Sequence, residues 1–199
     1  MLNKRAKTYL FLLVLGAIFW LGAVNVRFLI GNELLLFDEF NFRTSIPPDE
    51  ENVIFKMISN ASMVVIPAYF ITLIASILFL KNCKINLKEN PWLLMCAILF
   101  FAFVPVEIYS HFLDIKFMLL FNERPANHDG LLKLFGERIG LLRGVPWIAL
   151  MSYYFIIAVA VFQPMKKSHR ELEEEKLREK LHSYNYIFHE EDDLAVKDN

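Results

Sequence analysis

The stretch ASMVVIPAYFITLIASILFL, residues 61–80, contains no charged side chain. A helix of about 20 apolar residues is long enough to cross the hydrocarbon core of a bilayer, which is roughly 30 Å thick. Three other windows are similar: residues 9–30 contain one charged residue, residues 92–111 contain one, and residues 145–165 contain none. The sequence therefore predicts an all-α protein that crosses a membrane four times.

The composition of the chain supports this fold class. Of its 199 residues, 56% are hydrophobic and 15% are aromatic, whereas a soluble domain is usually about 45–50% apolar. The net charge of −1 provides no excess of positive charge for binding a nucleic acid. We therefore expect the lipid bilayer to be its environment, and we expect no nucleic-acid partner.

The positive charges predict how the chain is oriented. They cluster before the first window, between the second and third, and after the fourth, and these three places lie on one side of a four-span protein. The positive-inside rule assigns that side to the cytoplasm. We therefore predict cytoplasmic N- and C-termini, outer loops at residues 31–60 and 112–144 and, in a bacterium, insertion in the inner membrane. The clusters are Lys4, Arg5 and Lys7; Lys81, Lys84 and Lys88; and Lys166, Lys167 and Arg170.

The simplest arrangement of four spans is an up-down-up-down four-helix bundle, here residues 1–165. Charged residues at helical spacing predict that residues 166–199 continue the last span as a helical tail into the cytoplasm. Both outer loops carry helix-start signals, SIPPDEE at residues 45–51 and NHDG at residues 127–130. We expect these helical extensions to pack into a small cap on the outer face, the alternative being that they lie flat on the membrane.

Ionisable side chains inside a bilayer are costly and indicate a site. In the third span Glu107, His111 and Asp114 share one helix face, and Pro105 predicts a kink just before them. We expect polar groups of the other spans to meet this face near the outer surface, with Arg27 or Arg143 paired to Glu107. The predicted polar pocket comprises Asn25, Arg27, Glu107, His111, Asp114, Arg138 and Arg143.

Three interpretations of this pocket remain open. It could be an ion-pair lock that holds the helices together, or a binding or catalytic pocket for a small amphipathic or anionic molecule. It could also be a metal site formed by Glu107, His111 and Asp114. The third interpretation lacks a second histidine within a span, and for the same reason we exclude a bis-histidine haem. We predict no cofactor.

The arrangement of residues 10–163 offers a further comparison. The first span contains FWLG at residues 19–22, residues 58–67 lead into a proline-containing second span, and ERIGLLR at residues 137–143 opens the fourth. This layout resembles the anthrone-oxygenase-like family of small four-span membrane proteins. The family tends to carry an aromatic residue and an asparagine before its last arginine. Here those places hold Gly140, Leu141 and Leu142, so that only Arg143 carries over. The resemblance implies four spans and cofactor-free oxygenation of polycyclic aromatic substrates in some members.

These observations predict a four-pass integral membrane protein with a polar site near its outer face. Its expected role is that of an accessory subunit or a small-molecule binder. The alternative is a membrane-bound oxygenase or oxidoreductase that acts on an aromatic or lipophilic substrate. The expected partners are the bilayer and either another membrane protein or a second copy of this chain. A transporter is disfavoured because four spans without a repeat provide little material for alternating access.

Overall fold

The computed structural model describes residues 3–36, 41–43, 45–83, 85–87, 89–140 and 144–166, together with residues 171, 173, 174, 177, 178 and 181. In these residues the chain is helical except for its connections and one short hairpin. The elements are α1 Lys4–Asn32, β1 Leu35–Leu36, β2 Asn41–Phe42, α2 Pro48–Asn82, α3 Pro91–Ala102, α4 Val104–Glu123, α5 His128–Ile139 and α6 Val145–Phe162.

Four helical segments are long and apolar enough to cross a membrane: Lys4–Asn32, Pro48–Asn82, Pro91–Glu123 and Val145–Phe162. The predicted all-α class and the four predicted spans are thus confirmed, and the segments fit an integral membrane protein. Three of these segments extend beyond the predicted windows, whereas the fourth ends at Phe162, three residues before the end of its window. At about 1.5 Å per residue, the 35 residues of α2 reach about 52 Å, well beyond the roughly 30 Å of a hydrocarbon core.

The chain divides into two compact units. The first comprises Met1–Lys84 and Leu99–Phe155, and the second comprises Ile85–Ile98 and Ile156–Asn199. The first unit contains the candidate site described below. In the second, the thiol of Cys96 donates a long hydrogen bond to the carbonyl of Ile156, at 3.8 Å. The closed arrangement of all four spans as one bundle stays a prediction.

Helices α1 and α2 form an antiparallel pair. At one end, Asn3 caps α1 and its Nδ2 donates to the carbonyl of Asn82 at 3.3 Å. Towards the other end, Arg27 Nη1 donates to Ser62 Oγ at 3.1 Å. Early residues of α1 therefore face late residues of α2, as in the predicted up-down order.

Glycine permits the closest approach between these two helices. A Cβ atom at Gly16 would lie 2.7 Å from Thr72 Oγ1 and 3.3 Å from the Thr72 backbone nitrogen. The Thr72 hydroxyl is itself held, because it donates to the carbonyl of Ala68 at 2.8 Å. Small residues at such contacts let helices pack in lipid, where burial of apolar surface drives association only weakly.

The third span is interrupted where the sequence predicts a kink. Helix α3 ends at Ala102, α4 begins at Val104, and Phe103 between them has φ −95° and ψ −2°. Pro105 lies in the first turn of α4, where its missing N–H costs no helical hydrogen bond. The predicted disruption at Pro105 is confirmed, and it begins a new helical turn just before Glu107.

A hydrophobic core joins the extensions beyond the spans. We call this region the cap; it comprises the first turns of α2, the last turns of α4, helix α5 and the β1–β2 hairpin. The predicted packing of the extensions is confirmed, whereas the hairpin was not predicted. A hydrogen bond between the side chains of Glu51 of α2 and His128 of α5 adds a polar contact. The buried core residues are Leu34, Phe55, Ile58, Phe117, Leu131 and Phe135.

The helix of the fourth span ends before the predicted tail begins, and the helical tail at residues 166–199 stays a prediction. Helix α6 ends at Phe162, and Gln163 and Met165 have φ values of 45° and 60°. Gln163 precedes Pro164, and a residue before proline is disfavoured in the helical conformation. The residues that the structure describes between 171 and 181 are again helical; residues 182–199 lie outside the described part of the chain.

Replacing Gly16 by alanine should separate α1 from α2. The added methyl group would overlap a held hydroxyl and a backbone atom, so we expect the free energy of unfolding in detergent to fall by about 1–3 kcal/mol. The matched control is Gly22→Ala in the same helix, where a Cβ meets nothing within 4 Å. Alanine there should leave stability unchanged or raise it by about 0.5–1 kcal/mol. Equal unfolding temperatures for the two variants would contradict the proposed close packing.

Candidate functional site

The buried carboxylate of Asp114 pairs with two arginines from different helices. Its Oδ2 accepts from Arg27 Nη1 of α1 at 2.5 Å, and its Oδ1 lies 2.6 Å from Arg138 Nε of α5. The side chains of Arg27 and Asp114 are each 4% exposed. Ser62 of α2 accepts a further hydrogen bond from Arg27 at 3.1 Å. Side chains of four helices therefore meet at one ion-pair centre.

This centre corrects the predicted pairing of Arg27. Arg27 contacts Asp114 and not Glu107, because Asp114 lies about two turns further along the same helix, level with Arg27. Spacing in the sequence places both acids on one face but does not say which of them reaches the arginine. Arg143, the other predicted partner of Glu107, lies outside the residues that the structure describes.

A cavity of about 220 Å³ lies beside the ion-pair centre. Both arginines of the centre line it, as do Glu107 and Ser110 of α4. Most of the remaining wall is aromatic or aliphatic. Its lining residues are Trp20, Val24, Arg27, Phe28, Gly31, Asn32, Leu35, Leu36, Glu107, Ser110, Phe135, Arg138, Ile139, Pro146, Trp147, Leu150 and Tyr153. The cavity is thus apolar with a few polar groups that converge on it, as is usual for a small-molecule site.

The polar groups of the cavity lie at two levels. Arg27 and Trp20 are about 10 Å apart along α1, at about 1.5 Å per residue. Asp114 and Glu107 are separated by a similar distance along α4. The arginines therefore mark the end of the cavity near the cap, and Glu107, Trp20 and Tyr153 mark the deeper end.

Several buried polar atoms around the cavity lack a hydrogen-bond partner among the described residues. Buried polar groups are nearly always hydrogen-bonded to protein or to ordered water. Such a group in a cavity wall is therefore available to water or to a ligand. The lining atoms of this kind are Trp20 Nε1, Arg27 Nη2, Asn32 Oδ1 and Ser110 Oγ, whereas the Tyr153 hydroxyl lies within hydrogen-bonding range of Glu107.

Glu107 differs from Asp114 in its surroundings. It is 8% exposed, and within the described part of the chain it forms no ion pair of the kind that Asp114 forms. His111, Tyr153 and Arg27 lie within electrostatic range of its carboxyl group. The carboxyl group therefore faces the cavity without a dedicated cation.

The structure places the other predicted site residues outside the cavity wall. His111 is buried beside Tyr69, with ring centroids 4.7 Å apart, and its Nδ1 lies 3.7 Å from Asp114 Oδ2. Asn25 donates hydrogen bonds to the carbonyl of Leu21 and to the hydroxyl of Tyr154. Of the predicted pocket residues, Arg27, Glu107 and Arg138 line the cavity. Asp114 lies behind this lining and contacts both arginines, and His111 lies next to Asp114.

The sequence prediction missed two cavity residues that helical spacing alone could have identified. Ser110 lies on the face shared by Glu107 and Asp114, and Trp20 lies two turns before Arg27 on the same face of α1. Trp20 joins two tyrosines in an aromatic cluster, with ring centroids 5.0 Å from Tyr69 and 4.7 Å from Tyr153. As for the metal interpretation, no three His, Cys, Asp or Glu side chains within the described ranges are grouped as a metal ion requires.

Comparisons with known proteins do not extend this description. No protein-family model, no curated protein and no solved structure matches the chain. The resemblance to the anthrone-oxygenase-like family therefore stays a prediction.

Substitutions should distinguish the structural role of Asp114 in the ion-pair centre from the role of Glu107 in the cavity wall. Asp114→Asn leaves two arginines, one of them fully buried, without their counterion, so we expect the free energy of unfolding to fall by on the order of 3 kcal/mol. Glu107→Gln keeps a hydrogen-bonding group of the same size and should cost about 1 kcal/mol or less. The exposed Glu123→Gln at the end of α4 is the control. Thermal unfolding in one detergent measures all three, and an equal loss for Asp114→Asn and Glu107→Gln would show that both acids are structural.

Proposed function

We propose that this protein binds a small amphipathic molecule in the cavity beside the ion-pair centre. The observation that carries the proposal is the combination of a 220 Å³ space, a largely apolar wall that includes five aromatic side chains, and lining polar atoms without a partner. An ion-pair lock alone would account for Asp114 and its arginines. It would leave the buried polar atoms of Ser110 and Trp20 without a role, although burying an unpaired polar group costs about 1–3 kcal/mol.

A membrane-bound oxygenase that acts on an aromatic substrate is the second candidate. Trp20, Phe28 and Trp147 favour it because their rings form much of the cavity wall, and the Trp147 ring packs edge-on against Phe28 with centroids 4.4 Å apart. The residue carried over from the family, Arg143, lies outside the described residues and adds no support. Binding without turnover is therefore the function that the geometry favours.

We also propose that the cap lies outside the cell and both chain ends lie in the cytoplasm, in the inner membrane if the organism is a bacterium. The support is the positive-inside distribution of lysine and arginine. Under this orientation the arginine end of the cavity lies near the outer surface. A ligand would then enter from the outer leaflet or from the medium.

Cysteine labelling tests the orientation. In a background of Cys83→Ser and Cys96→Ser, Asp129→Cys places a thiol on the exposed first turn of α5, and Lys4→Cys places one at the start of α1. A membrane-impermeant maleimide should label Asp129→Cys in intact cells, and Lys4→Cys only after lysis. Labelling of Lys4→Cys in intact cells would reverse the proposed orientation.

A larger side chain that fills the cavity should prevent the protein from retaining a ligand there. Leu150 of α6 lines the cavity, so Leu150→Trp should occupy it. Ile148 of the same helix is 59% exposed and does not line it, which makes Ile148→Trp the matched control. Native mass spectrometry of protein from its native membranes should detect one retained small molecule in the wild type and in Ile148→Trp, and none in Leu150→Trp.

The proposal fails if no stoichiometric small molecule is retained by the wild type, or if Leu150→Trp retains it equally. Thermal unfolding checks that both tryptophan variants are folded. A stoichiometric protein in the same preparation would instead support the accessory-subunit role. Oxygen-dependent conversion of the retained molecule would support the oxygenase.

A further inference from the structure

We propose that the ligand of this cavity has two poles: an anionic oxygen group held by Arg27 and Arg138, and a hydrogen-bond donor held by Glu107. The inference rests on the proposed function and specifies its ligand. An aromatic or similarly flat body between the poles would contact the cavity wall. A small hydroxylated carboxylate has this chemistry.

The anionic pole follows from the unequal charges of the ion-pair centre. Two guanidinium groups share the single carboxylate of Asp114. The arginines line the cavity, whereas Asp114 does not. Arg27 Nη2 is buried and lacks an acceptor among the described residues. Guanidinium groups bind carboxylates through two parallel hydrogen bonds, so a ligand carboxylate would supply both the missing charge and the missing acceptor.

The donor pole follows from Glu107 at the deeper end. The carboxyl group of Glu107 has acceptor sites for more than one hydrogen bond, and the Tyr153 hydroxyl, which is within hydrogen-bonding range, can fill one of them. A hydroxyl group of the ligand would satisfy the carboxylate without adding charge.

The spacing and size of the cavity limit the ligand further. The two poles lie about 10 Å apart along the helix axes. A volume of about 220 Å³ is below the usual range of about 300–1,000 Å³ for drug-sized ligands. A single ring with a short acidic arm therefore fits better than a large polycyclic molecule or a lipid with two chains.

Three related probes test the two poles separately. They are 4-hydroxycinnamate, which has both poles, cinnamate, which lacks the donor, and methyl 4-hydroxycinnamate, which lacks the charge. Binding is measured by equilibrium dialysis against the protein in nanodiscs, with empty nanodiscs as the blank for partitioning into lipid. We expect 4-hydroxycinnamate to bind most tightly, cinnamate several-fold more weakly, and the ester about tenfold or more weakly.

Two variants assign the poles to residues. Arg138→Gln should weaken the binding of both carboxylates about tenfold and leave the binding of the ester unchanged. Arg138 is chosen because its side chain is 19% exposed, whereas Arg27 is buried. Glu107→Gln should weaken the two hydroxylated probes and leave cinnamate unchanged. The matched controls are Arg124→Gln and Glu123→Gln, both exposed at the end of α4. Neither control should change any affinity.

Each contrary result overturns one specific part of the proposed two-pole ligand. Equal binding of the ester and the acid, or an unchanged affinity in Arg138→Gln, rejects the anionic pole and leaves the proposed cavity function intact. Equal binding of cinnamate and 4-hydroxycinnamate rejects the donor pole. Absence of saturable binding for all three probes rejects the two-pole ligand, whereas the retained-molecule experiment judges the proposed function independently.

Discussion

The contact on which this structure depends is the pairing of one buried carboxylate with two arginines. Arg27 comes from the first span, Asp114 from the third, and Arg138 from a helix of the cap. In a medium of low polarity, removing one partner of such a set leaves an uncompensated charge, which is far more costly than in water. The contact therefore fixes the relative register of three chain segments that are distant in sequence.

The close contact of α1 with α2 lies before the part of α1 that lines the cavity. Near Gly16 the backbones of α1 and α2 approach so closely that no Cβ atom fits. One turn further, Trp20 inserts a large ring between Tyr69 and Tyr153, and seven residues beyond it stands Arg27. Trp20 and Arg27 both line the cavity, which therefore extends along this part of α1.

The sequence predicted the number and nature of the spans because hydropathy and length are local properties. It also predicted the break near Pro105 and the start of α2 at Pro48, since proline acts on its own turn. The predicted partner of Arg27 was wrong, because pairing depends on how far two helices are shifted relative to each other along their axes. The face shared by Glu107 and Asp114 carries no information on that shift. The pairing of β1 with β2 was missed because two-residue strands leave no periodic signal.

The cap contributes side chains to the candidate site. Phe135 and Arg138 project from the same helix, α5. Phe135 belongs to the apolar core of the cap and would collide with a side chain at Gly31, while Arg138 reaches Asp114. Packing of the cap core therefore holds the helix that delivers the second arginine. The apolar contacts of Phe135 and the charge of Arg138 are thus delivered to the site by one helix.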